Sequence, residues 1–145
     1  MDPQDFQTLA KELLTDGRPA AVRSAVSRSY YAAYNIGEQA LRGMGARIPQ
    51  TAAGHLKVGF CFNNSEDETL RVASSQLAAL RTRRNHADYH MGKQEIEAAS
   101  TATVLLEQAD RIIEDITDRC NSGDRENIIA AIKDWSQRTG EGLFV

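Results

Sequence analysis

Residues 19–43 read PAAVRSAVSRSYYAAYNIGEQALRG and carry Val22, Ala25, Val26, Tyr30, Ala33, Ile36 and Leu41 at three- and four-residue intervals. At 3.6 residues per turn, that spacing lines one stripe of an α-helix. Pro19 suits the first helical turn, where its missing N–H costs nothing. No further proline interrupts the run, Gly37 is its one weak helix former, and Gly43 and Gly45 stop it near Arg42. A single amphipathic helix of this length cannot bury its stripe alone, so the flanking segments must supply its partners.

Those segments repeat the pattern. Upstream, residues 4–15 place Phe6, Leu9, Leu13 and Leu14 at helical spacing and stop at Asp16-Gly17. Downstream, residues 43–50 (GMGARIPQ) form a turn-rich connection, and Thr51 can N-cap a short helix, TAAGHLKVGFCF. Asn63-Asn64-Ser65 breaks the chain again, and Ser65 followed by Glu68 has the form of a capping box. The helix this box opens should run over about 66–90, with Leu70, Val72, Ala73, Leu77, Leu80 and Ala87 inward and Gly92 as its stop. A long helix over about 94–120 follows, with Ile96, Ala99, Val104, Leu105, Ala109, Ile112, Ile113 and Ile116 as its stripe. Asn121-Ser122-Gly123 separates it from a last helix over about 124–138, which holds Ile128, Ile129, Ile132 and Trp135. No strand pattern, repeat or low-complexity tract appears. Long amphipathic helices with short connections predict an all-α fold, an antiparallel up-and-down bundle of about five helices in one domain over 1–145.

Composition agrees with a folded chain: 145 residues, 41% apolar and 26% charged. No apolar run approaches the ~20 residues that span a bilayer. The opening MDPQDFQTLAKELL is acidic and lacks the basic start of a secretory leader, so the expected location is cytoplasmic and no membrane contact is expected. Cys61 and Cys120 lie far apart without CxxC spacing, and read as free thiols in the core. The net charge of −3 conceals an asymmetry: residues 71–93 set five cations against Asp88, whereas residues 94–145 set eleven acids against five bases. Any contact with nucleic acid should therefore be a focused positive groove.

The focus of that charge is RTRRNHADYH, residues 81–90. On a helix, Arg83 and His90 fall on nearly one line, while Arg84–Asp88 and His86–His90 are i,i+4 pairs. One reading is a solvated basic face with Asp88 neutralising one arginine. A zinc reading of His86 and His90 lacks the glutamate of HExxH, and the flanking arginines would repel a cation. No P-loop and no GxSxG elbow occurs, and no cofactor or metal is expected. An anion reading uses more of the stretch. Arg offers a planar fork of donors matched to phosphate oxygens, and His moves protons near neutrality. Together they are the minimum equipment for metal-free RNA cleavage: the imidazole deprotonates a 2′-hydroxyl or protonates the leaving 5′-oxygen, and the guanidinium stabilises the phosphorane. One imidazole is thin for both tasks, and a symmetric dimer would supply a second. On the 19–43 helix, Tyr30, Tyr31 and Tyr34 read mainly as core aromatics, with the Tyr31 hydroxyl a candidate to orient the Arg–His pair.

Two stretches taken together, AVRSAVSRSYYAAYN (21–35) and, about fifty residues on, LRTRRNHADYH (80–90), resemble the HEPN superfamily, small helical domains common in prokaryotic toxin–antitoxin and defence systems. The signature of its active members is an Arg, a polar residue, and a His after four to six intervening positions, and Arg84-Asn85…His90 has that form. The resemblance covers roughly residues 5–120, leaving about 124–145 as a possible addition. It implies an up-and-down bundle that forms a homodimer with the two motifs facing across a cleft. The activity it implies is metal-independent endoribonucleolytic cleavage of RNA that leaves a 2′,3′-cyclic phosphate. Arg84 would then be the phosphate and transition-state ligand, His90 the general acid/base and Asn85 an orienting hydrogen-bonder. Arg83 would reinforce the field, Tyr31 would face the substrate, and His86 has no fixed counterpart. A nucleotidyltransferase-type antitoxin is a possible partner. In the branch paired with that antitoxin a Tyr stands two residues after the motif His, whereas here Met91-Gly92 follows. The alternative is a non-catalytic HEPN module that binds a nucleotide, nucleic acid or a nucleotidyltransferase.

Overall fold

Each of the apolar-periodic segments forms a helix. The computed structural model describes residues 1–145 and contains α1 (Gln4–Asp16), α2 (Pro19–Gly43), α3 (Ala52–Asn63), α4 (Glu68–Tyr89), α5 (Ala99–Cys120) and α6 (Arg125–Arg138). One short 3-10 turn, Gln94–Glu97, joins them, and no strand is present. None of these helices is long and apolar enough to cross a membrane.

Pro19 opens α2 as expected, and Gly17 ends α1 in the left-handed conformation (φ +77°) that a side chain would strain. Two expected helix starts differ from the structure. The Ser65–Glu68 capping box does not form: the Ser65 hydroxyl donates to the Phe62 carbonyl (2.7 Å), and Asp67 takes over as N-cap by accepting from the Leu70 amide at 3.0 Å. The expected 94–120 helix is divided, because Ala98 is extended (ψ 126°) and separates the 3-10 turn from α5. The cause lies in α2, whose Arg23 binds the Lys93 carbonyl and the Glu97 carboxylate and draws residues 93–97 around its guanidinium.

Side-chain pairs fix the packing directions. Gln7 meets Ser29 and Ala10 packs with Ala25, so α1 runs antiparallel to α2. Arg23 meets Ala87, Ser27 meets Asp88 and Tyr30 meets Arg84, so α2 runs antiparallel to α4. Gln7 also donates to the Leu106 carbonyl and to Asp110, tying α1 to α5 through buried polar contacts. These pairs place α2 at the centre of an all-α bundle, flanked by α1, α4 and α5. Gly54 lets the start of α3 press onto the preceding connection and onto α2, since a Cβ there would stand 2.2 Å from the Pro49 carbonyl oxygen and 2.9 Å from the Tyr34 hydroxyl.

One continuous core runs from Val22, Tyr30 and Leu41 through Phe62, Leu80 and Ile116 to Ile128 and Ile132. Burial corrects several of the expected apolar-stripe positions, Leu9 of α1 among them. Val72, Ala99 and Val104 are exposed, and Leu106 is buried in place of Val104, a rotation of the α5 stripe toward α1 and α2. The C-terminal segment belongs to this core. Ile128, Ile132 and Leu143 are buried in it, and the Arg47 amide donates to the Leu143 carbonyl at 2.7 Å. Cys61 and Cys120 are both buried free thiols, and burial pushes them up to about 12 and about 11.

Candidate functional site

The last carbonyls of a helix have no partner within it. At the end of α4 that need is met by Arg23, a buried residue of α2. Its Nη1 donates to the carbonyls of His86 (3.1 Å), Ala87 (3.0 Å) and His90 (3.3 Å). Its Nη2 donates to those of Met91 and Lys93, both at 3.1 Å, and its Nε donates to Glu97 at 2.9 Å. A cation at this position also opposes the negative end of the helix dipole. One side chain therefore holds the backbone from residue 86 to residue 93, the segment that presents His90.

Arg84 faces α2 and is only 5% exposed, so the solvated-face reading does not hold for it. Its guanidinium carbon lies 5.2 Å from the ring centres of both Tyr30 and Tyr31 and 5.9 Å from that of Tyr89. Asp88 is its nearest carboxylate at 3.8 Å, beyond hydrogen-bond reach, and that carboxylate accepts instead from the Ser27 hydroxyl at 3.0 Å. The Arg84 Nε is buried and has no partner in the chain. Tyr31 meets this group through its ring, which also receives Arg28 at 5.0 Å.

His90 is exposed and caps α4, its amide bonded to the His86 carbonyl at 3.1 Å. Its ring stands 5.5 Å from that of His86, the planes nearly perpendicular at 84°. The Nδ1 of His86 is enclosed without a partner. Desolvation, then the charges of Lys93, His90 and Arg83, hold the His86 imidazole below its ordinary range. No third His, Cys, Asp or Glu joins this pair into a metal-sized group.

Asn85 lies elsewhere. It lines a cleft of about 610 Å³ between α3 and α4, with Tyr30, His55, Phe60, Asn63 and Arg81 among its other walls. The Tyr30 hydroxyl meets the His55 Nδ1 at 2.6 Å, and His55 stacks on Tyr34 with ring centres 4.3 Å apart. Burial raises the Tyr30 hydroxyl, and burial followed by Arg81 and Arg84 lowers His55. Tyr30 therefore keeps its proton and His55 stays neutral.

The signature residues thus divide among three places. Arg84 and Tyr31 sit together at the α2–α4 contact, His90 stands at the tip of α4 beside His86, on which the Arg83 charge acts, and Asn85 belongs to the cleft. No hydrogen bond or ion pair joins Arg84 to His90. Three residues outside the expected site now matter. Arg23 reads in sequence as one more helical cation, and nothing local marks it as a cap. Arg81 and His55 meet only because α3 packs across α4, and the sole sequence signal for His55 is that few histidines exist.

No family model matches the chain, and no curated protein and no solved structure does.

Proposed function

We propose that this protein is a HEPN-type, metal-independent endoribonuclease that acts as a homodimer. The observation that carries the reading is the state of Arg84: a guanidinium 5% exposed, 3.8 Å from its nearest carboxylate, with an unpartnered Nε. A buried cation with so little compensation is costly, and the faces of three tyrosines offset only part of that cost. A phosphate brought to this end of α4 would supply the hydrogen-bond acceptors that the Asp88 carboxylate, paired with Arg84 at 3.8 Å, does not. His90, exposed on the same helix end and held by Arg23, supplies proton transfer. In the reaction the 2′-oxygen bonds to the neighbouring phosphorus as the bond to the 5′-oxygen breaks. The products are a 2′,3′-cyclic phosphate and a 5′-hydroxyl. Arg83 adds positive field near His86, and a nucleotidyltransferase-type antitoxin is a possible partner, though Met91-Gly92 stands where the branch paired with it carries its Tyr.

The test is cleavage of total RNA in EDTA, with end-group analysis, by wild type and His90→Ala. Loss of a general acid/base should slow cleavage by about 100-fold or more, with thermal melting unchanged because His90 is exposed. Equal cleavage by the two proteins overturns the proposal. A second reading, a HEPN module that binds a nucleotide without cleaving RNA, draws on the Asn85 cleft, where Arg81 and aromatic walls lie apart from His90. Nucleotide binding lost in Arg81→Ala, with no cleavage by wild type, would select it.

A further inference from the structure

We propose that His86 is the second proton-transfer residue of the RNA-cleaving site, so that each α4 end carries both a general base and a general acid. This rests on the ribonuclease reading above and adds a residue that the Arg–polar–His signature does not contain.

In-line cleavage needs two proton transfers on opposite sides of one phosphorus. A base must remove the 2′-hydroxyl proton while an acid protonates the departing 5′-oxygen. One imidazole cannot occupy both positions in a single step. The pair at the end of α4 can, because its ring centres are 5.5 Å apart and the planes are nearly perpendicular. That separation allows each ring to reach a different oxygen of the same phosphate within the roughly 2.6–3.2 Å that proton transfer requires.

The two rings differ in surroundings, and the difference assigns their roles. His86 is half-buried, and its Nδ1 is enclosed without an acceptor. A base that works through Nε2 carries its resting proton on Nδ1, so the enclosed nitrogen is the one that holds the N–H throughout. The charged groups around it are Arg83 and His90 on α4, Lys93 and Glu95 in the segment that follows, and Arg23 of α2, which holds its carbonyl. Only Glu95 favours the imidazolium. His86 is accordingly kept neutral, the form a base needs, with Nε2 as its working nitrogen. His90 is exposed and presents its ring to solvent at the helix tip. The step then balances. His86 takes the 2′-hydroxyl proton, the 2′-oxygen forms its bond to phosphorus, the bond to the 5′-oxygen breaks, and His90 gives that oxygen a proton. Exchange with water returns both imidazoles to their starting states.

The experiment compares wild type, His86→Ala, His86→Gln and His90→Ala on an RNA oligonucleotide and on a nucleoside 3′-(p-nitrophenyl phosphate). The nitrophenolate departs without needing a proton. Loss of the base should slow both substrates by about 100-fold and flatten the acidic limb of the pH–rate profile. His90→Ala should be slow on RNA yet within several-fold of wild type on the nitrophenyl ester. His86→Gln keeps a neutral polar side chain of similar reach, so a melting temperature equal to wild type, with the same kinetic loss, separates chemistry from folding. Wild-type rates in both His86 variants, with His90→Ala inactive, overturn this inference and leave the ribonuclease reading standing. A wild-type protein that cleaves neither substrate removes both.

Discussion

Arg23 spends its guanidinium almost wholly on backbone, binding five carbonyls between His86 and Lys93 together with the Glu97 carboxylate. Removing it strands those carbonyls and leaves Glu97 without its partner. Arg23→Ala should therefore destabilise the fold by about 3 kcal/mol, measured as a shift in the urea midpoint. Amide exchange should accelerate first in residues 86–93. Arg23→Lys should recover only a small part, since an ammonium cannot reproduce the planar fork. Arg84 illustrates the same limit on reading single residues. In the stretch RTRRNHADYH its neighbours in sequence are cations and polar groups, which describe a surface. Its burial is imposed by Tyr30 and Tyr31, more than fifty positions away.

At the scale of the element, the two ends of α4 are held by different devices, and both come from outside the pattern that located the helix. The C-terminal end relies on Arg23. The N-terminal end relies on Asp67, which accepts from the Leu70 amide and pairs with Arg119 at 2.8 Å. Burial raises the Asp67 carboxyl, but the Arg119 guanidinium and the Leu70 and Thr69 amides outweigh it, so the group titrates below its usual range. A depressed carboxylate contributes stability above its unfolded value, about 3.9, and that contribution is lost as pH falls through the lower folded value. Asp67→Asn should keep the cap yet lose this dependence, so its urea midpoint should fall less steeply than wild type between pH 5 and 3. Asp67→Ala should cost about 1 kcal/mol through the cap alone. A slope for Asp67→Asn as steep as wild type would remove the assignment. The capping box expected at Ser65 fails because its hydroxyl is already committed to the Phe62 carbonyl, a contact set by how α3 ends.

For the whole molecule, α6 and the tail beyond it are part of the same core as the preceding helices. The HEPN resemblance ends near residue 120, but the core does not, because Ile128, Ile132 and Leu143 are buried with Met44, Ala46 and Ile48 in one cluster. Side chains of this size each contribute about 1.5–3 kcal/mol on burial, and a domain's net stability is about 5–15 kcal/mol. A chain ending at Gly123 should therefore lose most of its stability and melt without a sharp transition by circular dichroism. An undiminished cooperative melt would show that α6 is dispensable.

The helices were legible in the sequence because their causes are local: apolar spacing at 3.6 residues, Pro19 at a start, and Gly17 and Gly43 at ends act through a few neighbouring residues. The chemical character of residues 81–90 was legible for the same reason, since side-chain type needs no fold. Its geometry was not. Arg84, Asn85 and His90 lie within seven positions on one helix, yet the structure buries the first, places the second in the α3–α4 cleft and leaves the third at an exposed tip. A helix turns each residue by about 100°, and what each direction meets depends on α2 and α3, packed against α4 from distant parts of the chain. Tertiary packing alone decided that the Nδ1 of His86 is enclosed and that the end of α4 is held by a cation from α2, whereas the neighbourhood of His86 and His90 already followed from their i,i+4 spacing.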